Sequence, residues 1–173
     1  MRKTAFSALL PIVAVLLLGS SPVFASSPSN TTPSTEQAAV LRIIDGDTIS
    51  VRLRDGSTAT VRLVGVDTPE TKKPGTPVQC YGLEATKAAT RLAAGKTVTL
   101  EFDPIAGDRD RYGRLLRHVF IQKTSMAVQL IKDGFGRAYA YKNQRYTYRT
   151  VHEQAENSAK RSRKGLWLAC GQG

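Results

Sequence analysis

At 173 residues, 41% of them hydrophobic and 23% charged, the chain suits one domain with a real core and is too short for two of ordinary size. Twenty-five Lys and Arg against 14 Asp and Glu give a net charge of +11, so polyanions are the natural partners; charge alone does not choose between nucleic acid and acidic cell-surface polymers. Two cysteines and two histidines, none close in sequence to another, argue against a zinc or redox centre.

Arg2 and Lys3 precede an apolar run from Ala5 to Leu18, and small residues follow up to Ala25. This is the pattern of a cleaved secretory leader over residues 1–25; the run is interrupted by Pro11 and falls short of the ~20 residues that span a membrane. Cleavage removes two positive charges from the +11 and leaves +9 on the 148 residues from Ser26 to Gly173. Residues 26–36, "SSPSNTTPSTE", are small and polar and read as a disordered spacer, so the folded domain is expected over 37–173.

Within that domain "AVLRII" reads as a buried strand and "DGD" as a turn. "TISVRLR" follows as a strand whose Ile49, Val51 and Leu53 alternate with polar residues, and Asp55-Gly56 as a hairpin turn. A third strand, "STATVRLVGV", runs into "DTPET"; a Pro/Gly loop then leads to a helix from about Leu83 to Ala94, stopped by Gly95. "KTVTLEF" and "RLLRHVFI" are further strands, and a short helix over Ser125 to Asp133 ends at Gly134. "RAYAYK" is extended or irregular, and a basic helix from about Tyr148 to Lys164 stops at Gly165, before "LWLAC". Five short strands with helices between and after them indicate an α+β domain built on a five-stranded barrel of the OB type, not a parallel α/β sheet.

"IDGDT" and "GVDTPE" each place carboxylates at a strand end, where a rigid sheet aims them. Each motif alone is ordinary turn chemistry. If the two strands are neighbours, Asp47, Asp67 and Glu70 approach one point, and such hard oxygens suit Ca²⁺ or Mg²⁺. Thr68 stands before Pro69, which favours an extended backbone and frees its carbonyl to face a cation. Arg62 and Arg114 offer planar forks to a phosphodiester, against the common alternative of solvated strand arginines. Arg62 and Asp67 are five residues apart and would face opposite ways on a regular strand, so a bulge or bend is expected at Gly65. In "DRYGR" Tyr112 presents a face for a base and Arg111 a phosphate contact; Tyr139 and Tyr141, followed by Lys142, read equally as base-stacking surface or as core tyrosines. Trp167 reads as a core plug for the tail, and His118 as a strand surface residue outside catalysis, as is His152. In an oxidising compartment Cys80 and Cys170 pair, closing a 90-residue span worth at most ~4–5 kcal/mol in the chain-entropy account.

"IDGDT", "RLVGVDTPET", "YGLEA", "DRYGR" and "GLW", in this order and spacing, resemble the staphylococcal nuclease (thermonuclease) family from about Val40 to Leu168. The resemblance implies an OB-fold barrel with three helices and a Ca²⁺-dependent phosphodiesterase, an endonuclease that leaves 3′-phosphate ends on DNA and RNA. It implies Asp47, Asp67 and the Thr68 carbonyl as calcium ligands, Glu70 reaching the ion through water, and Asp45 behind them. Arg62, Glu70 and Arg114 match catalytic positions, and Arg111, Tyr112, Tyr139 and Tyr141 nucleotide-binding ones. An exported monomer, periplasmic or extracellular, with no stable protein partner and no membrane attachment after cleavage, completes the expectation; the rival is an OB module that grips nucleic acid without cutting it. Three departures from the family pattern stand out: both cysteines are additions, Arg replaces Lys at 111, and "KNQRYTYRT" after Tyr141 is longer.

Overall fold

A computed structural model of the chain describes residues 34–72 and 75–171. The expected leader, and the expected spacer as far as residue 33, lie outside the described residues.

One long strand organises the barrel. β1 (Thr35–Asp45) starts two residues ahead of the expected domain boundary and is longer than its neighbours. Its first half pairs antiparallel with β5 (Thr97–Phe102) and its second half with β2 (Thr48–Arg52), which pairs in turn with β3 (Thr58–Leu63). Register shifts after Val40 and after Ile43 bend β1 between these two roles. β5 also pairs with β6 (Leu115–Ile121), and the parallel pairing of β6 with β3, Val61 to Leu115 through Leu63 to Arg117, closes five strands on themselves. Closure removes the free edges that an open sheet of this size would expose.

The alternation read from the sequence survives in β2, whose Ile49 and Val51 are fully buried, and in β5, whose Val98 and Leu100 are. It corrects the reading of "AVLRII" as a buried strand: Val40 points inward, whereas Leu41 is exposed and Ile43 and Ile44 are only partly covered. Barrel residues Ile49, Val51, Val61, Leu63, Leu100 and Val119 meet α1 (Gly82–Ala93) through Ala88, Ala89 and Ala93, and α2 (Met126–Lys132) through Met126, Leu130 and Ile131. Full burial of each large aliphatic side chain contributes ~1.5–3 kcal/mol. Alanines on the inner face let α1 lie close to the sheet. Ser125 caps α2 by accepting a hydrogen bond from the Val128 N–H at 3.3 Å.

Three two-residue strands complete the sheets: β4 (Val66–Asp67) pairs with β8 (Arg137–Ala138), and β7 (Thr124–Ser125) extends β6. Within and just beyond "RAYAYK", expected to be extended or irregular, a 3₁₀ turn runs over Tyr141–Asn143, with Lys142 and Asn143 both at positive φ. α3 (Arg149–Arg161) follows, and then a single helical turn, α4 (Leu166–Ala169). The tail is plugged by Leu166, not Trp167: Leu166 is 1% exposed, while the half-buried Trp167 ring lies between the Arg137 guanidinium and the Lys160 ammonium, each 4.6 Å from it. A disulfide joins Cys80, ahead of α1, to Cys170, after α4. Among the described residues no helix is long and apolar enough to cross a membrane.

Candidate active site

The chain breaks where the sequence demanded it. β3 ends at Leu63, Val64 and Gly65 turn with Gly65 at φ +85°, and β4 resumes at Val66. The reversal lets Arg62 fold back over the turn. Its Nη1 donates to the carbonyls of Leu63 (2.8 Å) and Val66 (2.6 Å), on either side of the Gly65 turn, and its Nη2 reaches Asp67 Oδ1 at 2.9 Å and Asp47 Oδ2 at 3.2 Å. Arg62 and Asp67 thus meet despite their spacing.

Asp47 arrives from the β1–β2 turn. Its Oδ2 accepts hydrogen bonds from the Thr68 N–H (2.9 Å) and hydroxyl (3.2 Å), and its Oδ1 accepts one from the Thr48 hydroxyl at 3.0 Å. Gly46 has to be glycine, because a Cβ there would stand 2.6 Å from the Thr68 hydroxyl oxygen. Thr68 therefore meets the cluster through its N–H and side chain. Asp45 Oδ1 accepts the Asp47 N–H at 3.2 Å; burial, with the Asp47 charge beside it, pushes its carboxyl up to about 6. Asp67 is raised too, by desolvation and by Asp47 and Glu70, against the pull of Arg62 and Arg137. Two carboxylates on one guanidinium nitrogen, with a third crowded behind, hold more negative charge than Arg62 neutralises. Such hard oxygens fit a divalent cation such as Ca²⁺. No group of three or more His, Cys, Asp or Glu among the described residues forms a ligand set by itself, so a cation there would complete its shell from backbone, water and phosphate oxygens.

Glu70 is held differently. Its Oε1 accepts hydrogen bonds from the N–H groups of Thr71 (2.8 Å) and Lys72 (2.7 Å), while its own N–H donates to the Gln79 side chain at 2.8 Å. These bonds fix it at the mouth of the loop that leads to Cys80, outside the lining of the adjoining groove.

That groove, about 520 Å³, is lined by Arg62, Asp67, Arg111, Tyr112, Arg114, Tyr139 and Tyr141 among others. Exposures of 68% for Tyr112, 42% for Tyr139 and 56% for Tyr141 decide against core tyrosines. The Arg62 guanidinium lies 6.0 Å from the Tyr139 ring. Arg111 donates to the Tyr112 hydroxyl at 2.6 Å and lies 4.8 Å from that ring. Arg114 Nε donates to Asp110 Oδ2 at 2.6 Å, and its Nη1 stands 3.4 Å from the Thr48 hydroxyl, which donates in turn to Asp47. Desolvation opposes the ionised form of Asp110, but the bonds from Arg114 and Tyr112 overcome it and hold its carboxyl below the usual range. Arg62, on β3, and Arg114, in the loop just before β6, accordingly flank the Asp47–Thr48 pair, Thr48 lying opposite Arg62 in the β2–β3 register. Two forks beside stacking rings can grip a phosphodiester and its bases.

Sequence reasoning missed Arg109 and Arg145, which also line the groove. Arg109 stands two residues before Arg111 in the same loop, and Arg145 lies in "KNQRYTYRT", the basic and aromatic segment after Tyr141, the signals that could have found them. It also misplaced His118. That side chain is 1% exposed and bonded through Nε2 to the buried Asp103 at 2.8 Å, because the outer face of β6 is covered by the segment from Tyr146 to His152.

Comparison with known proteins gives the same outline. A family model described as "Staphylococcal nuclease homologue" matches residues 60–169, which include Arg62, Asp67 to Glu70, Arg114 and the groove tyrosines. The chain is 38% identical over 173 residues to "Thermonuclease" of Staphylococcus hyicus, covering 96% of this chain and 99% of that one. Against "Thermonuclease" of Staphylococcus intermedius it is 37% identical over 171 residues, with the same coverage. It is 43% identical over 133 residues to "Endonuclease YncB" of Bacillus subtilis (strain 168), covering 75% of this chain and 61% of the other.

Proposed function

The chain belongs to the staphylococcal nuclease family and is a nuclease, a hydrolase of phosphodiester bonds; from that premise we propose that it is an exported, calcium-dependent endonuclease that cuts DNA and RNA to leave 3′-phosphate ends. One observation carries the reading: two guanidinium forks and a crowded carboxylate cluster stand side by side at the edge of a groove lined with exposed tyrosines.

In this reading Tyr112, Tyr139 and Tyr141 receive bases and Arg111 a neighbouring phosphate, which sets the scissile phosphorus against Arg62 and Arg114. Their forks bind its non-bridging oxygens and stabilise the charge that grows there as phosphorus becomes five-coordinate. The Glu70 carboxylate orients or deprotonates the attacking water, and the 5′ oxygen leaves in line and takes a proton from solvent, so the phosphate stays on the 3′ side. Asp47, Asp67 and the Thr68 carbonyl would hold Ca²⁺ with Asp45 behind them, and the ion would supply positive charge to polarise a phosphoryl oxygen. The leader expected over residues 1–25 and the Cys80–Cys170 bond support export into an oxidising compartment.

Incubating the protein with single-stranded DNA or RNA, with Ca²⁺ or with chelator, tests this. Fragments bearing 3′-phosphate, formed only with Ca²⁺, are expected. Intact nucleic acid that shifts on a gel would instead identify a binding module, and full activity in chelator would remove the metal's role.

A further inference from the structure

The reaction just described leaves His152 without a part, yet this side chain is fully buried and packs directly against the break that builds the site. A Cβ placed on Gly65 would fall 2.2 Å from His152 Nδ1, so the imidazole occupies the space that glycine vacates. Nδ1 lies 3.1 Å from the Tyr146 hydroxyl, and that hydroxyl donates to the Gly65 carbonyl at 3.4 Å. The same carbonyl accepts the Tyr139 N–H at 3.0 Å. Nε2 of His152 is buried and makes no hydrogen bond.

The bonding direction follows from that last fact. An unpaired buried N–H costs more than an unpaired acceptor lone pair, so the proton sits on Nδ1 and Nε2 carries the lone pair. His152 Nδ1–H then donates to Tyr146, whose O–H donates on to Gly65. Burial pushes the Tyr146 phenol up to about 12, which keeps that proton in place at any working pH.

We propose that His152 and Tyr146 are positioning residues: together they hold the Gly65 carbonyl, and through it both the Arg62-to-Asp67 turn and the Tyr139 wall of the groove. The assignment rests on the reading given under Proposed function. A chain of two side chains from α3 and the loop before it thereby sets where the Arg62 fork and the Tyr139 ring stand. The consequence is specific: loss of the hydrogen bonds misplaces the site even when apolar packing is kept.

Three variants test it: Tyr146→Phe, His152→Leu and His152→Asn, whose amide N–H can stand where Nδ1–H does. Each is measured for kcat and KM on a single-stranded oligodeoxynucleotide with Ca²⁺, for Kd of the same oligonucleotide in chelator, and for melting temperature. Tyr146→Phe and His152→Leu are expected to lose about 10-fold or more in kcat, a misplacement effect, and several-fold in Kd, with melting temperatures lowered by no more than several degrees and both variants fully folded at the assay temperature. His152→Asn should recover most of both. The proposal is overturned if the Phe and Leu variants keep parental kcat and Kd, or if Asn behaves no better than Leu. Should the parent protein bind the oligonucleotide but never cut it, the proposed activity fails while the Kd series still decides the positioning role.

Discussion

Asp67 and Asp103 both stand at strand ends of one barrel, and their surroundings are opposite. Asp103 is fully buried and accepts hydrogen bonds from the N–H groups of Thr147 (2.7 Å), Ile105 (2.8 Å) and Ala106 (3.2 Å), with His118 Nε2 at 2.8 Å. Desolvation opposes its charge, yet these bonds win and bring its carboxyl down to about 2. Asp67 shares one guanidinium with Asp47, with Asp45 behind, and its carboxyl is pushed up instead. A saturated carboxylate ties the loop before α3 to the barrel; a crowded one is left in want of positive charge. One fixes the fold; the other, in the function proposed above, receives a cation and a phosphate.

Exchanging the roles is the sharpest way to break this contrast. Arg62→Ala or Arg114→Ala should lower kcat by roughly 10²–10³-fold, the usual cost of removing one transition-state donor, with native circular dichroism retained. Asp103→Ala should do the reverse. It strands His118 and three N–H groups and should cost about 3 kcal/mol in denaturant unfolding, while the specific activity of the folded protein at low temperature stays within a few-fold of parental.

Acid separates the regions further. His152 is held at about 4 by burial, helped by the nearby His118 and opposed by the Gly65 backbone, below its ordinary 6.5. The unfolded chain therefore binds the extra proton first, and the stability His152 provides is complete above pH 6.5 and lost as pH falls toward 4, about 3 kcal/mol in all. Asp103 contributes stability that is complete above pH 3.8 and lost as pH falls through 2. Unfolding free energy should thus decline first between pH 6.5 and 4, and His152→Leu should flatten that limb, as read by urea titration across the range. The smallest effect is expected at the crowded cluster: Asp45→Asn in chelator at pH 7 should stabilise the fold by ~1 kcal/mol by relieving repulsion, measurable as a rise in melting temperature.

The contrast also explains what the sequence disclosed. Alternation in "TISVRLR" and "KTVTLEF" located two barrel strands because one face of each meets the core, and the impossible geometry of Arg62 and Asp67 on one strand located the Gly65 break. Those signals are local. "LLRHVFI" hid its buried histidine because the cover over that face comes from residues about 30 positions later, and nothing near His118 announces it. The same holds for Arg145, whose place in the groove depends on the 3₁₀ turn and the buried Tyr146 on either side of it. Trp167 misled for a different reason: its size suggested a plug, while two cations met its ring and Leu166 took the core.

The central claim is that the Asp47 and Asp67 oxygens are gathered to receive a divalent ion. Thermal unfolding with Ca²⁺ and with chelator, for the parent and for Asp47→Asn, tests it without any substrate. Ca²⁺ is expected to raise the melting temperature of the parent in a saturable way and to leave Asp47→Asn unmoved; equal curves for the parent with and without the ion, or an equal rise in both proteins, would contradict that role.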